Sequence, residues 1–394
     1  MRTGVTIFFW LGTLAMLIAH YYLLARFGHY LQLVGRQRRG LVWLLAACVL
    51  LTVTAIPVSR TLPYQLSTWL TWLVFPWMGI VLLSLVVLGV TDAAGLLIRI
   101  AALLAPRYRS WHALHRRVGG WAVLPVIALL GSVAVWNALQ PATVRSIEVT
   151  LDRLPQQLDG LKMVQLTDLH IGPMIDGRWL RKIVDDVNAL QPDLVAITGD
   201  LVDGSVEVLR DQVAPIADLK APLGVYFVTG NHEYYSGVEA WCRHLASLGV
   251  QVLSNRHVSV AVRNAVVDIA GVEDWHSRQL PHGGHDLPKA MAGHDPDRML
   301  ILLAHQPATI HEAANHGVDL QLSGHTHGGQ IWPFGYLVYL QQPYVSGLHR
   351  HPGTRTHIYI SSGTGFWGPP MRLATTAEVT KITLRSVAMP CQSC

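Results

Sequence analysis

The first 140 residues contain four apolar runs, each about long enough to cross a bilayer. They lie at 5–26, 41–59, 66–91 and 121–139, and a spanning helix needs roughly 20 residues. Trp and Tyr cluster near the ends of these runs, as they do in the aromatic belts of membrane proteins. The pattern predicts an all-α transmembrane region of about four helices over 1–140. A shorter run at 95–105 carries Arg99 and predicts a helix that lies in the membrane interface.

The pattern changes to that of a globular domain after residue 140. Residues 141–149 are interpreted as a linker. From about 160, short apolar runs such as "DLVAITGD" alternate with helical stretches such as "RWLRKIVDDVNAL", which is typical of an α/β domain with strands buried on both faces. Consecutive strands follow over 251–271, so the domain, placed at 150–387, should mix βαβ units with strand meanders. A tail over 388–394 ends in a Cys-x-x-Cys.

Charge is distributed unequally between the two halves. The chain is 51% hydrophobic and only 14% charged, with a net charge of +5. Residues 1–149 hold twelve arginines and two acidic residues, whereas residues 150–394 hold eighteen basic and twenty-three acidic residues. A nucleic-acid surface should make the soluble domain basic. The acidic balance therefore argues against a nucleic-acid partner.

The arginines also predict an orientation in the membrane. The loops after the first and third apolar runs carry nine of them: Arg26, Arg36, Arg38, Arg39, Arg99, Arg107, Arg109, Arg116 and Arg117. The opposite side carries Arg2, Arg60, Arg145 and Arg153. Because cytoplasmic loops are enriched in Lys and Arg, we expect a multi-pass protein of the cytoplasmic membrane. Its soluble domain should face the periplasmic or extracellular side.

Polar side chains recur where the apolar runs of the soluble domain end. They are Asp168 and His170 after "MVQLT", Asp200 after "DLVAIT", Asn231 and His232 after "VYFVT", His305 after "MLILLA", and His325 and His327 after "VDLQLS". Each is unremarkable alone, and a single histidine such as His305 is most often a hydrogen-bonded core residue. Ligands of open α/β sheets, however, bind beyond the carboxyl ends of the strands. Five such strand ends together predict a site.

The residue types in this pattern indicate metal binding. Imidazole and carboxylate without cysteine suit Zn, Mn or Fe. His325 and His327 flank one residue, and in an extended segment their rings would project to the same side. Seven of these residues are candidate ligands, namely Asp168, His170, Asp200, Asn231, His305, His325 and His327. Seven are too many for one catalytic zinc, which typically keeps three protein ligands. We therefore expect two ions that share a carboxylate, an arrangement that polarises a phosphoryl group and generates a hydroxide near neutral pH.

The motif series D-x-H, G-D-x-x-D, G-N-H-E, H and G-H-T-H resembles that of the calcineurin-like metallophosphoesterases. "SGHTHGGQ", "TDLHIG" and "YISSGTGFWGPPMRL" are similar to the bacterial membrane-associated branch of that superfamily. The resemblance covers about 150–387. It implies a four-layer α/β/β/α sandwich, in which two mixed sheets are flanked by helices, and an activity as a hydrolase of phosphoric esters.

The resemblance also implies residue roles. One divalent ion would be held by Asp168, His170, Asp200 and His327, and the other by Asp200, Asn231, His305 and His325. A hydroxide bridging the ions would attack phosphorus in line, while His232 stabilises the phosphoryl oxygens or protonates the leaving group. Asp203 would orient His232, because a carboxylate fixes the tautomer of an imidazole. Arg372 is a candidate phosphate contact, since arginine forms bidentate bonds to such groups.

Three functions are compatible with these features. The leading hypothesis is a membrane-anchored phosphoesterase that acts on a phosphate mono- or diester or a diphosphate, on a lipid-linked or envelope substrate. The same chemistry facing the cytoplasm would instead suit a nucleotide-diphospho-glycolipid pyrophosphatase of the kind used in lipid A synthesis. A catalytically silent binding or sensor module is the alternative from another class. The sequence does not indicate an oligomeric state.

Overall fold

The computed structural model describes residues 2–59, 61–279 and 284–387. These residues form two compact units. The first comprises the chain up to Leu139 together with Gly368–Leu373, and the second comprises the remainder. The predicted tail over 388–394, with its Cys-x-x-Cys, lies outside the described residues.

The first unit is helical. Its helices are α1 (Arg2–Tyr30), α2 (Gly35–Ser59), α3 (Tyr64–Leu104) and α4 (Arg109–Leu139). Segments of all four are long and apolar enough to cross a membrane, namely Trp10–Tyr30, Gly35–Ala55, Tyr64–Leu104 and Val118–Leu139. Buried apolar side chains such as Leu23, Val81 and Ile127 pack into one cluster between the helices. The expectation of four such N-terminal helices is confirmed.

The prediction of a separate interfacial helix at 95–105 is wrong, because α3 continues unbroken to Leu104. No proline interrupts this stretch, and its glycine has a packing role. A Cβ atom on Gly95 would lie 2.6 Å from the ring of His115 on α4. His115 Nε2 also lies 3.1 Å from the carbonyl oxygen of Thr91. The C-terminal part of α3 is thus held against α4.

One carboxylate joins α1 to α3 within the helical unit. Asp92 accepts hydrogen bonds from Tyr22 Oη at 2.5 Å and Tyr30 Oη at 2.6 Å. Arg26 Nε lies 2.6 Å from the same carboxylate. Charges among membrane-spanning helices are costly unless they are paired, so this pairing explains how Asp92 is tolerated among apolar segments.

The second unit is built from two six-stranded sheets and seven α-helices among its described residues. Its strands are β1 (Thr143–Leu151), β2 (Lys162–Leu166), β3 (Leu194–Ile197), β4 (Val225–Phe227), β5 (Gln251–Val252), β6 (Arg256–Val262), β7 (Ala265–Gly271), β8 (Met299–Leu303), β9 (Leu320–Ser323), β10 (Gly347–Arg350), β11 (His357–Ile360) and β12 (Glu378–Ser386). Its helices are α5 (Gly177–Ala189), α6 (Val206–Val213), α7 (Asn231–Ser236), α8 (Val238–Ser247), α9 (Leu287–Ala290), α10 (Ile310–Asn315) and α11 (Gly335–Val338).

Both sheets are mixed. The first has the order β1-β12-β2-β3-β4-β5, and only its β12–β2 pair is antiparallel. The second has the order β10-β11-β9-β8-β7-β6, with antiparallel pairs at its two edges. The strands that precede the candidate ligands are the parallel central ones. The predicted α/β/β/α sandwich is confirmed.

Strand β8 shows how the layers are packed. All five of its residues are buried. Met299 and Ile301 belong to the cluster that lies between the two sheets, whereas Leu300 and Leu302 belong to a second cluster that includes residues of α9 and α10. Because successive side chains of a strand point to opposite faces, a continuous apolar run is what a strand covered on both sides requires.

The linker predicted at 141–149 is wrong for most of its length, because residues 143–151 form strand β1. This strand pairs in parallel with β12 along all nine residues, from Thr143 opposite Glu378 to Leu151 opposite Ser386. It lies at the edge of its sheet, and most of its side chains are exposed. Its polar composition therefore resembles a linker, and its partner strand lies more than 200 residues away in the sequence.

Candidate metal centre

The structure brings the candidate ligands together from both sheets. Asp168 and His170 follow β2, Asp200 follows β3, Asn231 begins α7 after β4, His305 follows β8, and His325 and His327 follow β9. Strands β2, β3 and β4 are mutually parallel in one sheet, and β8 and β9 are parallel in the other. Their carboxyl ends therefore deliver these side chains to one edge of the sandwich.

The backbone at the ligands is left-handed rather than extended. Asp168, His170, Asp200, His325 and His327 have φ angles of 53°, 50°, 51°, 71° and 50°. Residues other than glycine rarely adopt this region, and clusters of such residues mark functional sites. The expectation of an extended segment at 325–327 is therefore wrong. A tight turn presents the two rings instead.

The first ligand group contains Asp168, His170 and His327. His327 Nε2 lies 3.3 Å from Asp168 Oδ1 and 3.2 Å from His170 Nε2. The other ring nitrogen of His170, Nδ1, lies 3.2 Å from Asp203 Oδ1. A carboxylate only accepts hydrogen bonds, so Nδ1 carries the proton and Nε2 of the neutral ring is left with a lone pair for a cation.

The second ligand group contains Asp200, His305 and His325. His305 Nε2 lies 3.2 Å from Asp200 Oδ2 and 3.2 Å from His325 Nδ1. His305 Nδ1 donates to the carbonyl oxygen of Thr198 at 2.8 Å, which again leaves Nε2 unprotonated in the neutral ring. Within each group the ligand atoms all lie within 4.8 Å of one another.

Asp200 lies between the two groups. Its Oδ2 atom is 3.2 Å from His305 Nε2 in one group and 3.9 Å from His170 Nε2 in the other. Its Oδ1 atom accepts the backbone N–H of His232 at 2.9 Å, which fixes the orientation of the carboxylate. One carboxylate thus faces both groups, as a bridging ligand must.

The donor set fits divalent cations. Asn231 Oδ1 is buried and has no hydrogen-bond partner among the residues that the structure describes, and a buried amide oxygen normally requires one. Burial lowers the pKa of His325, which favours the neutral ring that a metal ligand must be. Asp168 and Asp200 are almost completely buried, and buried carboxylates are costly unless a cation compensates them.

Asp203 contacts two histidines through one oxygen. The resemblance implied a contact with His232 but none with His170. Its Oδ1 atom lies 2.5 Å from His232 Nδ1 and 3.2 Å from His170 Nδ1. Burial lowers the pKa of His232, but the charges of Asp200 and Asp203 outweigh this effect and raise it to about 9. The Nε2 atom of His232 lies 3.9 Å from Asp200 Oδ2, so the ring faces the ligand groups.

Two aromatic side chains flank His232. The rings of Tyr235 and Trp367 lie 5.4 Å and 6.2 Å from the His232 ring, and both are nearly half exposed. Gln330 fixes the backbone of Trp367, because its amide accepts from Trp367 N at 2.9 Å and donates to Trp367 O at 2.9 Å. In the sequence, Trp367 lies in the run "GFWGPP", and no role was assigned to it.

Glu233 organises the backbone beneath the ligands. It accepts hydrogen bonds from the backbone N–H groups of Gly230 at 2.6 Å, Asp200 at 3.0 Å and Leu201 at 2.8 Å. It is fully buried, and these bonds hold the turns after β3 and β4 together.

Two glycines lie directly against the ligand carboxylates. A Cβ atom on Gly324 would collide with the Thr167 hydroxyl and the Asp168 carboxylate. A Cβ atom on Gly230 would collide with the carboxylate of Asp200. Both glycines belong to the motifs G-N-H-E and G-H-T-H, and the contacts of the folded chain show why a side chain is excluded there.

His276 lies beside the second ligand group. Its ring is 6.3 Å from that of His325, and its Nδ1 atom is 2.7 Å from Gln306 Nε2. The same Gln306 amide donates to both oxygens of the buried Asp274, at 3.1 and 2.9 Å.

Arg372 groups with the helical unit rather than with these residues. Its side chain is fully buried, and its backbone N–H donates to the carbonyl oxygen of Ala134 in α4 at 2.8 Å. A contact between Arg372 and phosphate stays a prediction.

The sandwich and its histidine and aspartate groups define a metal-dependent phosphoester hydrolase. The family model for calcineurin-like phosphoesterases matches residues 161–329. A zebrafish (Danio rerio) protein, "Transmembrane protein with metallophosphoesterase domain", is 38% identical over 327 residues, which cover 80% of this chain and 74% of the relative. An "Uncharacterized metallophosphoesterase" of Helicobacter pylori strain J99 is 38% identical over 261 residues, which cover 66% and 68% of the two chains.

Solved structures include a 5'-nucleotidase precursor of Thermus thermophilus, with a TM-score of 0.35, 16% identity, and coverage of 57% of this chain and 55% of that one. On the strength of the sequence relatives, the chain belongs to the calcineurin-like phosphoesterase family. It is a hydrolase of phosphoric ester bonds and a membrane protein.

Proposed function

We propose that the protein is a membrane-anchored phosphoesterase with two divalent metal ions, chosen from Mn, Zn and Fe. The observation that carries the proposal is the position of Asp200, whose Oδ2 atom faces His170 of one ligand group and His305 of the other. One shared carboxylate between two sets of imidazoles is the arrangement expected of a two-ion centre.

The proposed site contains metal ligands and residues that take part in proton transfer. Asp168, His170, Asp200 and His327 would hold one ion, and Asp200, Asn231, His305 and His325 would hold the other. When bound, such ions polarise a phosphoryl oxygen and supply a hydroxide for in-line attack.

His232 faces this centre through Nε2, while its Nδ1 proton is held by Asp203 at 2.5 Å. In this orientation a protonated ring donates from Nε2 to a phosphoryl oxygen or to the leaving group. Asp203 stabilises the protonated form by its charge. A proton donor of this kind contributes about 10²–10⁴-fold to a rate.

The proposed substrate is a phosphate mono- or diester or a diphosphate carried by a lipid or an envelope precursor. Four helices apolar enough to cross a membrane belong to the same chain, and confinement to a bilayer favours substrates that share it. The excess of arginine around the α1–α2 and α3–α4 connections, over 26–39 and 99–117, supports a catalytic domain outside the cytoplasmic membrane.

A substrate screen of the full chain in lipid nanodiscs tests the chemistry. Wild type, Asp200→Asn and His232→Ala are compared on aryl phosphate mono- and diesters, phospholipids, diphosphate lipids and nucleotides, and bound metal is counted by mass spectrometry. We expect wild type to hold two ions per chain and to prefer a lipid-linked phosphate. Two ions without hydrolysis of any ester would contradict the enzyme and favour a silent binding module.

Reporter fusions test the orientation. We expect alkaline phosphatase fused after the C-terminus to be active and a cytoplasmic fluorescent reporter at the same position to be dark. The reverse result would place the catalytic domain in the cytoplasm and favour a nucleotide-diphospho-glycolipid substrate.

A further inference from the structure

An exposed apolar segment follows the last ligand histidine. We call residues 331–342 the aromatic loop; its sequence is "IWPFGYLVYLQQ". Six of its large side chains are at least 41% exposed: Trp332, Phe334, Tyr336, Leu337, Tyr339 and Leu340, the last at 81%. The segment 331–348 carries no Asp, Glu, Lys, Arg or His. A patch of this kind on a soluble surface marks a site of interaction with another apolar phase.

Several backbone N–H groups of the aromatic loop donate to carbonyl oxygens of the same loop. Tyr336 N donates to the carbonyl oxygen of Pro333 at 3.0 Å, and Leu337 N to that of Phe334 at 2.8 Å. Leu340 N continues the series with a bond to the carbonyl oxygen of Leu337 at 3.1 Å. Internal pairing of this kind is what a segment needs in a nonpolar layer, where water does not solvate the peptide groups.

The opposite side of the aromatic loop is fixed to the domain. The Gln342 side chain is buried; it accepts from Ala308 N at 3.0 Å and donates to Gln306 Oε1 at 3.2 Å. Gly329 and Gly335 pack so closely that a Cβ atom on Gly329 would collide with Gly335. The exposed side chains therefore project from a fixed backbone. This lowers the entropic cost of ordering the loop when a partner binds.

The lipid bilayer is the apolar phase to which the chain connects this domain. The fourth membrane-spanning segment ends at Leu139 and strand β1 begins at Thr143, a connection of four Cα steps that reaches at most about 14 Å. Trp and Tyr combined with Leu, without charge, are the composition that partitions into the interface of a membrane.

We propose that the aromatic loop inserts into the headgroup region of the bilayer that holds the helices. The loop begins four residues after His327, so insertion would present the metal centre to phosphates at the lipid surface. The inference goes beyond the proposed function, because the loop would dock whether or not a lipid is the substrate.

Spin-label accessibility in the full chain tests the insertion. Cys48, Cys242, Cys391 and Cys394 are replaced by serine, and a nitroxide is attached to Tyr336→Cys or Leu340→Cys in nanodiscs of phosphatidylcholine and phosphatidylglycerol. Val208→Cys on α6, which is 54% exposed, is the matched control. We expect oxygen to relax the loop labels more than a water-soluble nickel chelate does, at a depth of about 5–10 Å, and the reverse at Val208.

Two results would overturn the proposal: loop labels as accessible to the nickel chelate as the Val208 label, or spin–spin broadening that identifies a second copy as the partner. Hydrolysis of a soluble aryl phosphate by the same labelled proteins reports the proposed function separately. Water-exposed loop labels on an active protein overturn the docking alone. Inserted labels on a protein that cleaves no phosphoester support the docking and contradict only the proposed enzyme.

Discussion

The substitution Asp203→Asn tests two roles that one carboxylate oxygen performs. Asp203 Oδ1 lies 3.2 Å from the metal-facing His170 and 2.5 Å from His232. Asparagine has nearly the same shape and retains an oxygen acceptor, but it lacks the negative charge. The variant should therefore weaken both the metal site that contains His170 and the proton donor His232, whereas His232→Ala should affect only the latter.

The structure sets the expected magnitudes. Loss of a carboxylate behind a ligating histidine costs about 10–100-fold in metal affinity. Loss of an effective proton donor costs about 10²–10⁴-fold in rate. Because the asparagine oxygen still accepts a hydrogen bond, we expect the lower ends: about tenfold in affinity for one ion and about 100-fold in kcat, or about 2.7 kcal/mol of transition-state stabilisation.

The pH dependence of kcat gives an independent readout. The charges of Asp200 and Asp203 raise the pKa of His232, and bound cations would offset part of this rise. A protonated donor is lost as the pH rises through this pKa, so the basic limb of the profile reports it. Removal of one nearby negative charge lowers the pKa, and the basic limb of Asp203→Asn should move toward lower pH by about 1 unit or more.

The assay combines metal counting, metal titration and pH–rate profiles on a soluble aryl phosphate, with the full chain in nanodiscs. Asp211→Asn, an exposed acid on α6, is the control and should match wild type in all three. Wild-type metal affinity together with an unmoved basic limb in Asp203→Asn would refute the assignment of both roles to Asp203.

Three further predictions address the metal centre. Asp200→Asn should lower the occupancy of both ions and not of one, because its carboxylate faces both ligand groups; retention of one full equivalent in the metal count would contradict a bridge. Gly324→Ala should destabilise the domain by about 1–3 kcal/mol and deplete metal, because the new methyl group collides with the Asp168 carboxylate; calorimetry showing an unchanged Tm would rule out this contact. Chelation should abolish activity and lower Tm, since each ion at 100 times its Kd stabilises the fold by about 2.7 kcal/mol. Readdition of Mn or Zn should restore both, and full activity of the metal-free protein would contradict the two-ion mechanism.

The sequence predicted the parts of the fold that depend on local pattern. Apolar length identified the four helices, and continuous apolar runs such as "MLILL" identified strands buried on both faces. Polar residues at the ends of those runs identified the edge of the sandwich at which the carboxyl ends of the strands lie. These features can be predicted from the sequence because the polarity of each residue matches the layer in which it lies.

The sequence failed where a distant partner decides the structure. Residues 143–151 look like a linker and become a strand because β12 pairs with them along nine residues. Residues 95–105 look like an interfacial helix and continue α3 because His115 packs against Gly95. In both cases the contact comes from another element of the fold, and the local residue pattern does not indicate it.

The candidate site shows the same division between residue type and geometry. Spacing singled out His325 and His327 but predicted an extended segment, whereas the chain forms a turn with left-handed φ angles at both residues. Such a turn is possible because Gly324 lets the chain pass directly over Asp168, whose carboxylate accepts the His325 backbone N–H at 3.0–3.1 Å. Gly324 is thus needed for the position of the ligands. A ligand set can be recognised from residue types alone, but the strained backbone that brings its members together follows only from the packing of both sheets.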